Sequence, residues 1–191
     1  MKKILLVLGL LSLFISFSTP SFASHKFGIF GDTTMYKPTN VSGAKAKLNF
    51  GGGATMEFGL GPKIGLELGA FYLQNKYEAT SAVLTKNVTA PLLLRIWFIP
   101  TISVGVGGYF SYGLGKVTVA STDFDYSAAS LSQTDFGLMG ALGFNFKVGP
   151  TVALVLEGRY AYGLKDIDTS ATTSKSTNII GMVGLRFGGT K

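Results

Sequence analysis

The chain contains no cysteine, which excludes disulfide staples and thiolate chemistry of any kind. Histidine occurs once, so a metal site built from several histidines is excluded as well. Charge is scarce: 14% of residues are Asp, Glu, Lys or Arg, against about 25% in ordinary domains. Long apolar runs are also missing. The one at the N-terminus falls short of the ~20 residues a membrane helix needs, so a helical membrane bundle is excluded. What is abundant is hydrophobic residue (47%), aromatic residue (13%) and glycine, at 26 of 191 positions. That inventory excludes intrinsic disorder. The length corresponds to one domain, at roughly 100–200 residues each, and the composition fits a β-rich protein with apolar surfaces.

Lys2-Lys3 precede an apolar run from Ile4 to Phe17, and Ser21-Phe22-Ala23 then offers small residues at the spacing of a signal-peptide cleavage site. The sequence predicts cleavage after Ala23, with residues 1–23 a signal peptide and residues 24–191 a single mature domain. The run is too short for a membrane anchor. Export without cysteine suits a bacterial envelope protein whose stability comes from packing and hydrogen bonds alone. The net charge of +7 does not read as nucleic-acid binding, because the lysines are scattered through polar segments and form no stripe. Contact with anionic lipid headgroups stays open.

Strict apolar alternation, the mark of a strand with two unlike faces, recurs over Leu48–Phe58, Ile64–Tyr77, Asn87–Phe98, Ile102–Leu114, Asp135–Phe146, Val152–Leu164 and Thr177–Phe187, after a weaker start at Lys26–Gly31. That predicts eight strands, most of them reaching the 9–11 residues that cross a membrane when tilted. Three connections are tight and carry Pro62, Pro100 and Pro150. Four others, residues 32–47, 78–86, 116–134 and 165–176, are longer and rich in Ser, Thr, Lys and Asp. Short turns at one end and long polar loops at the other predict an all-β fold, an eight-stranded antiparallel up-and-down transmembrane β-barrel.

The two faces point to the environment. In Ile64–Tyr77 one face carries Ile64, Leu66, Leu68, Ala70 and Tyr72, and the other Gly65, Glu67, Gly69, Phe71 and Asn75. A soluble barrel would show water the second face, which is too poor in charge for that task. A membrane barrel inverts the arrangement, with the apolar face toward lipid. Glu57, Glu67, Arg95, Asp135, Glu157, Arg159 and Arg186 all fall on the non-apolar phase. On the apolar phase, Phe58, Phe98, Phe144, Phe146 and Phe187 lie beside the short turns, and Tyr72, Phe110, Tyr112, Phe136, Tyr160 and Tyr162 near the long loops. They predict two aromatic girdles at two membrane–water interfaces. Eight strands leave an interior only wide enough for side chains. We expect a lumen charge network in which Arg95 and Arg159 bridge Glu57, Glu67 and Glu157, either as a structural plug or as an ion path.

Other motifs carry little. Gly59-Leu60-Gly61 and Gly105-Val106-Gly107-Gly108 resemble phosphate loops only superficially, since neither opens a helix. His25 lies on the short-turn side with no second metal ligand near it in the sequence, and neither a metal site nor a Ser–His pair is expected there. Asp123, Asp125, Asp166 and Asp168 alternate within two long loops, a pattern of weak calcium ligation or simply of solvated loops. No cofactor and no catalytic residue are expected.

At this point the chain resembles the bacterial outer-membrane β-barrel domain family, the small eight-stranded group of OmpA-barrel, OmpX-like and PorT-like proteins. Three stretches carry the likeness: Asn87–Leu94 leading into Val104–Leu114; Asp135-Phe136-Gly137-Leu138 with Arg159-Tyr160-Ala161-Tyr162-Gly163-Leu164; and the ending Gly184-Leu185-Arg186-Phe187. The resemblance implies outer-membrane lipid and the barrel-assembly machinery as partners. It also implies an aromatic last residue, and here the chain departs, because Gly188-Gly189-Thr190-Lys191 follows Phe187.

The expectation is an outer-membrane protein, not an enzyme, with a structural or surface-interaction role carried by the four loops. The largest candidate is Lys116–Thr134, with Phe124 and Tyr126 inside it. The alternatives are a small channel or transporter for ions or hydrophobic solutes and, less favoured, a lipid-modifying barrel enzyme.

Overall fold

The computed structural model describes residues 25–41, 43–79, 81–167 and 174–188. The expected signal peptide, Asp168 and the tail residues 189–191 lie outside the described residues. Eight long strands make the fold: β1 (His25–Pro38), β3 (Leu48–Gly59), β4 (Ile64–Glu78), β5 (Ala82–Ile99), β6 (Ile102–Val119), β8 (Thr134–Lys147), β9 (Val152–Gly163) and β10 (Ser176–Phe187). Two short pieces, β2 (Lys45–Ala46) and β7 (Thr122–Phe124), add to the long-loop end. Each long strand pairs antiparallel with its neighbour in the chain, and β1 pairs with β10. The sheet therefore closes into a barrel with no free edge, which satisfies every strand within the protein as a lipid core demands.

The alternation does what it predicts, in inverted form. On β5, Val88, Leu92, Leu94, Ile96 and Phe98 are exposed, while Thr89, Leu93, Arg95 and Trp97 are buried. Ile29, Leu138, Leu156 and Val183 are likewise more than two-fifths exposed. Such a surface, apolar all round, has no stable place in water and a natural one in lipid.

The strands run further than the apolar pattern suggests. Asp32–Lys37, read as loop, continue β1, which pairs with β10 from Phe27↔Phe187 to Pro38↔Ser176. Asp32, Thr34 and Tyr36 point inward there. The polar residues hid the strand because a lumen-facing position needs no apolar side chain. Residues 82–86 likewise join β5, and Lys116–Val119 join β6 past a bulge where Gly115 has φ +65°. Three of the loops thus contract, to residues 39–47, 79–81 and 120–133, the second being only three residues between strands, while the fourth keeps its length at 164–175. Pro91 sits inward on β5. Its missing N–H accounts for the gap in the β4–β5 ladder, where the pairing skips from Leu68↔Leu92 to Phe71↔Thr89.

The lumen is filled in three levels. Charged side chains occupy the short-turn end. A middle layer is apolar, with Phe30, Phe71, Leu73, Leu93, Met139, Val155, Ile180 and Met182 in one buried cluster. Above it, toward the loops, the lining becomes tyrosine, serine, asparagine and one aspartate.

Candidate functional site

Four inward phases bring the lower charges to one place. Glu57 and Glu67 face each other across β3 and β4. Like charges opposite one another repel, so the pair needs cations between and beside them. Arg95, fully buried, supplies the first. Its Nη2 donates to Glu67 Oε2 at 2.6 Å and its Nη1 to Ser103 Oγ at 2.9 Å, with Glu157 Oε2 also 2.9 Å from Nη1. Its Nε lies 3.9 Å from Glu57 Oε2. Arg159 donates from Nη2 to Glu67 Oε1 at 2.8 Å and from Nε to Glu157 Oε1 at 2.7 Å. The planar, multi-donor guanidinium lets two arginines hold two carboxylates in a fixed plane.

The structure thus brings Glu57, Glu67, Arg95, Glu157 and Arg159 into one cluster, and it adds members that the sequence reading left out. Arg186 donates to Asn145 Oδ1 at 2.8 Å and stands 3.5 Å from Glu67. Lys26 donates to Glu57 Oε1 at 3.0 Å and lies 3.7 Å from the centre of the Trp97 ring. Trp97 Nε1 donates to the same Glu57 oxygen at 2.7 Å. All three share the inward phase at the short-turn end, and continuing that phase along β1, β5 and β10 would have found them. The tally is four cations, Lys26, Arg95, Arg159 and Arg186, against three glutamates. Asp32, 5% exposed, supplies a fourth negative charge. Its carboxyl and Arg159 Nη1 make no hydrogen bond among the described residues, and Arg159 is the cation that acts on it electrostatically.

The upper level is a polar vestibule. Asp135 Oδ2 accepts from Tyr109 Oη at 2.8 Å and from Ser176 Oγ at 2.5 Å. Thr89 and Ser111 hydroxyls meet at 2.8 Å, and Asn178 donates to Asn75 at 3.2 Å. A cavity of about 50 Å³ lies here, and one of about 20 Å³ shares Tyr36, Asn75, Ser111 and Asp135 with it. Two loops roof it. Ser132 N–H donates to Ile167 C=O and Ile167 N–H to Ser174 C=O, both at 2.8 Å. Tyr126 folds inward over Gly113, where a Cβ would come within 2.3 Å of the phenol, so only glycine admits the ring.

The family model described as "Outer membrane protein beta-barrel domain" matches residues 9–187. The chain belongs to that family. It is an outer-membrane protein of Gram-negative type, crossing the bilayer with strands. Among solved structures, Neisserial surface protein A is 15% identical with a TM-score of 0.56, covering 86% of this chain and 97% of that one. OprG from Pseudomonas aeruginosa is 19% identical at 0.52, covering 87% and 95%. Ail of Yersinia pestis, solved with the heparin analogue sucrose octasulfate, is 14% identical at 0.50, covering 87% and 99%. At such identities the likeness concerns the fold. No curated protein sequence matches the chain.

In this outer-membrane barrel the aromatic residues on the lipid side take two bands. Phe98, Phe144, Phe146 and Phe187 are exposed beside the short turns, with Phe58 half-buried near them. Tyr72, Phe110, Tyr112, Phe136, Tyr160 and Tyr162 are exposed toward the loops. Phe27 and Phe50, exposed on β1 and β3, extend the bands. His25 stacks edge-on against Phe58 at 5.4 Å, at the short-turn end. Asp123 accepts a hydrogen bond from Thr118, and among the described residues no group of three His, Cys, Asp or Glu could hold a metal ion.

Proposed function

We propose that this outer-membrane barrel is a rigid support that presents its loop end to a polyanionic partner at the cell surface, and that its lumen is a structural plug. The reading rests on one contrast. The lumen is packed with paired charges and an apolar layer, while at the loop end lysines outnumber the acids Glu78, Asp123, Asp125, Asp166 and Asp168. Eight of the lysines, Lys37, Lys45, Lys47, Lys76, Lys86, Lys116, Lys165 and Lys175, lie in the loops or in the last turns of strand leading to them. The two aromatic bands set the depth of the barrel, and the charge network holds it shut. Loops on a stiff scaffold are where binding surfaces arise, and sulfate or phosphate groups are what clustered lysines attract. The likeness to Ail, whose structure holds a sulfated heparin analogue, supports the same ligand class. No catalytic step is part of this reading.

The test is titration of the refolded barrel with sucrose octasulfate. Binding that weakens as salt rises, and that falls when Lys45, Lys116 and Lys175 become glutamine, is the expected result. Absence of binding at low ionic strength overturns the reading of the loops. Steady single-channel openings in planar bilayers overturn the plug.

A further inference from the structure

The vestibule holds polar atoms that the barrel itself leaves unsatisfied. Tyr126 Oη, Asp135 Oδ1 and Asn178 Oδ1 are buried and make no hydrogen bond to the described residues. Tyr126 and Asn178 are each only 8% exposed; Tyr126 lines the larger cavity and Asn178 the smaller, and Asp135 lines both. A buried polar group without a partner costs about 1–3 kcal/mol, and these three border two cavities that share Asp135 in their walls. All three are oxygens. The other polar side chains around them are again mostly oxygen-bearing: Ser111, Ser176 and Thr89 hydroxyls and the Asn75 amide. The one formal charge lining either cavity is the carboxylate of Asp135. The cation that acts on it, Lys165, donates to Thr134 Oγ1.

We propose that this vestibule is a binding site for a small monovalent cation, either an alkali ion or a primary ammonium group. Asp135 supplies the charge through Oδ1, while Tyr109 and Ser176 hold its other oxygen and fix the direction of the first. Tyr126 Oη, beside the larger cavity, and Asn178 Oδ1, beside the smaller, are the further unpartnered oxygens offered to the ion. Neutral hydroxyls and an amide with a single carboxylate suit a singly charged ion, whereas the hard divalent sites carry more carboxylates. A space of about 50 Å³ takes one such ion with a water or two. The site is independent of what the loops contact, because its ligands come mainly from the strand ends.

The experiment compares the thermal midpoint of the refolded, full mature barrel in chloride salts of sodium, potassium, methylammonium and tetramethylammonium at equal ionic strength. A cation present at about 100 times its Kd raises the midpoint by roughly 5–10 °C over tetramethylammonium, which is too large to enter. Sodium or potassium alone doing so identifies an alkali site, and methylammonium alone an amine site. Asp135→Asn abolishes the difference. Lys165→Gln, in a loop and safe for folding, removes the competing charge and tightens binding severalfold. Equal midpoints in all four salts overturn the proposal and leave the vestibule to water. A shift that survives Asp135→Asn, or that Lys165→Gln fails to strengthen, overturns it too, because the ion then sits elsewhere.

Discussion

Replacing Arg95 with methionine removes one guanidinium from the lower lumen and leaves a chain of similar length in its place. Arg95 is fully buried and touches three carboxylates, at 2.6 Å (Glu67), 2.9 Å (Glu157) and 3.9 Å (Glu57). After the change Glu157 Oε2 keeps only Arg186, at 3.7 Å, and Ser103 Oγ loses its donor. With Asp32 counted, the cluster goes from four cations against four carboxylates to three against four, so the variant loses short, directed contacts and also the charge balance of the lumen. Breaking a buried pair from one side costs about 3–5 kcal/mol, and that is the expected destabilisation. The assay is urea unfolding in lipid vesicles, read from the emission of Trp97, the only tryptophan, and checked by band shift on gels of boiled and unboiled protein. Arg95→Met/Glu67→Gln should recover part of the loss, with a coupling of about 1–3 kcal/mol. A single variant within about 0.5 kcal/mol of the parent would refute the reasoning, since it would mean the network holds nothing together.

Two further outcomes are expected. Leu92→Arg, on the lipid side of β5 and 48% exposed, should cost about 2–4 kcal/mol if that position lies near the bilayer midplane, measured by the same urea titration, whereas a soluble barrel would tolerate it. Glu78, at the loop end of β4, accepts from Lys47 Nζ at 2.9 Å, and this hydrogen bond holds its carboxyl below the usual carboxylate range. A lowered folded pKa means that its small stabilisation is complete above the ordinary value of about 4.3 and is lost as pH falls through the depressed one. NMR titration of the Glu78 side-chain carbonyl should give the low midpoint, and Lys47→Met should return it to normal.

Much of this protein is written in period and phase. Alternation of apolar with small or charged residues in Ile64–Tyr77, Asn87–Phe98 and Val152–Leu164 determines strands with two unlike faces, and the sorting of prolines into tight turns determines which end is which. Because a side chain in a strand has only two directions to choose from, the phase of Glu67, Arg95 and Glu157 also determined that they share one side. What phase does not carry is depth across strands from different parts of the chain. Ring closure between β1 and β10, and the register of each pair, decided that Arg186 and Lys26 reach the same glutamates as Arg95. They decided too that Leu93 and Val155, in phase with the charges, form a dry layer between two polar ones. The ends of the strands were hidden for the same reason. Asp32 and Thr34 look like loop to a reader of hydropathy, yet a lumen wall accepts any residue that its neighbours across the barrel can satisfy. Only the closed sheet says who those neighbours are.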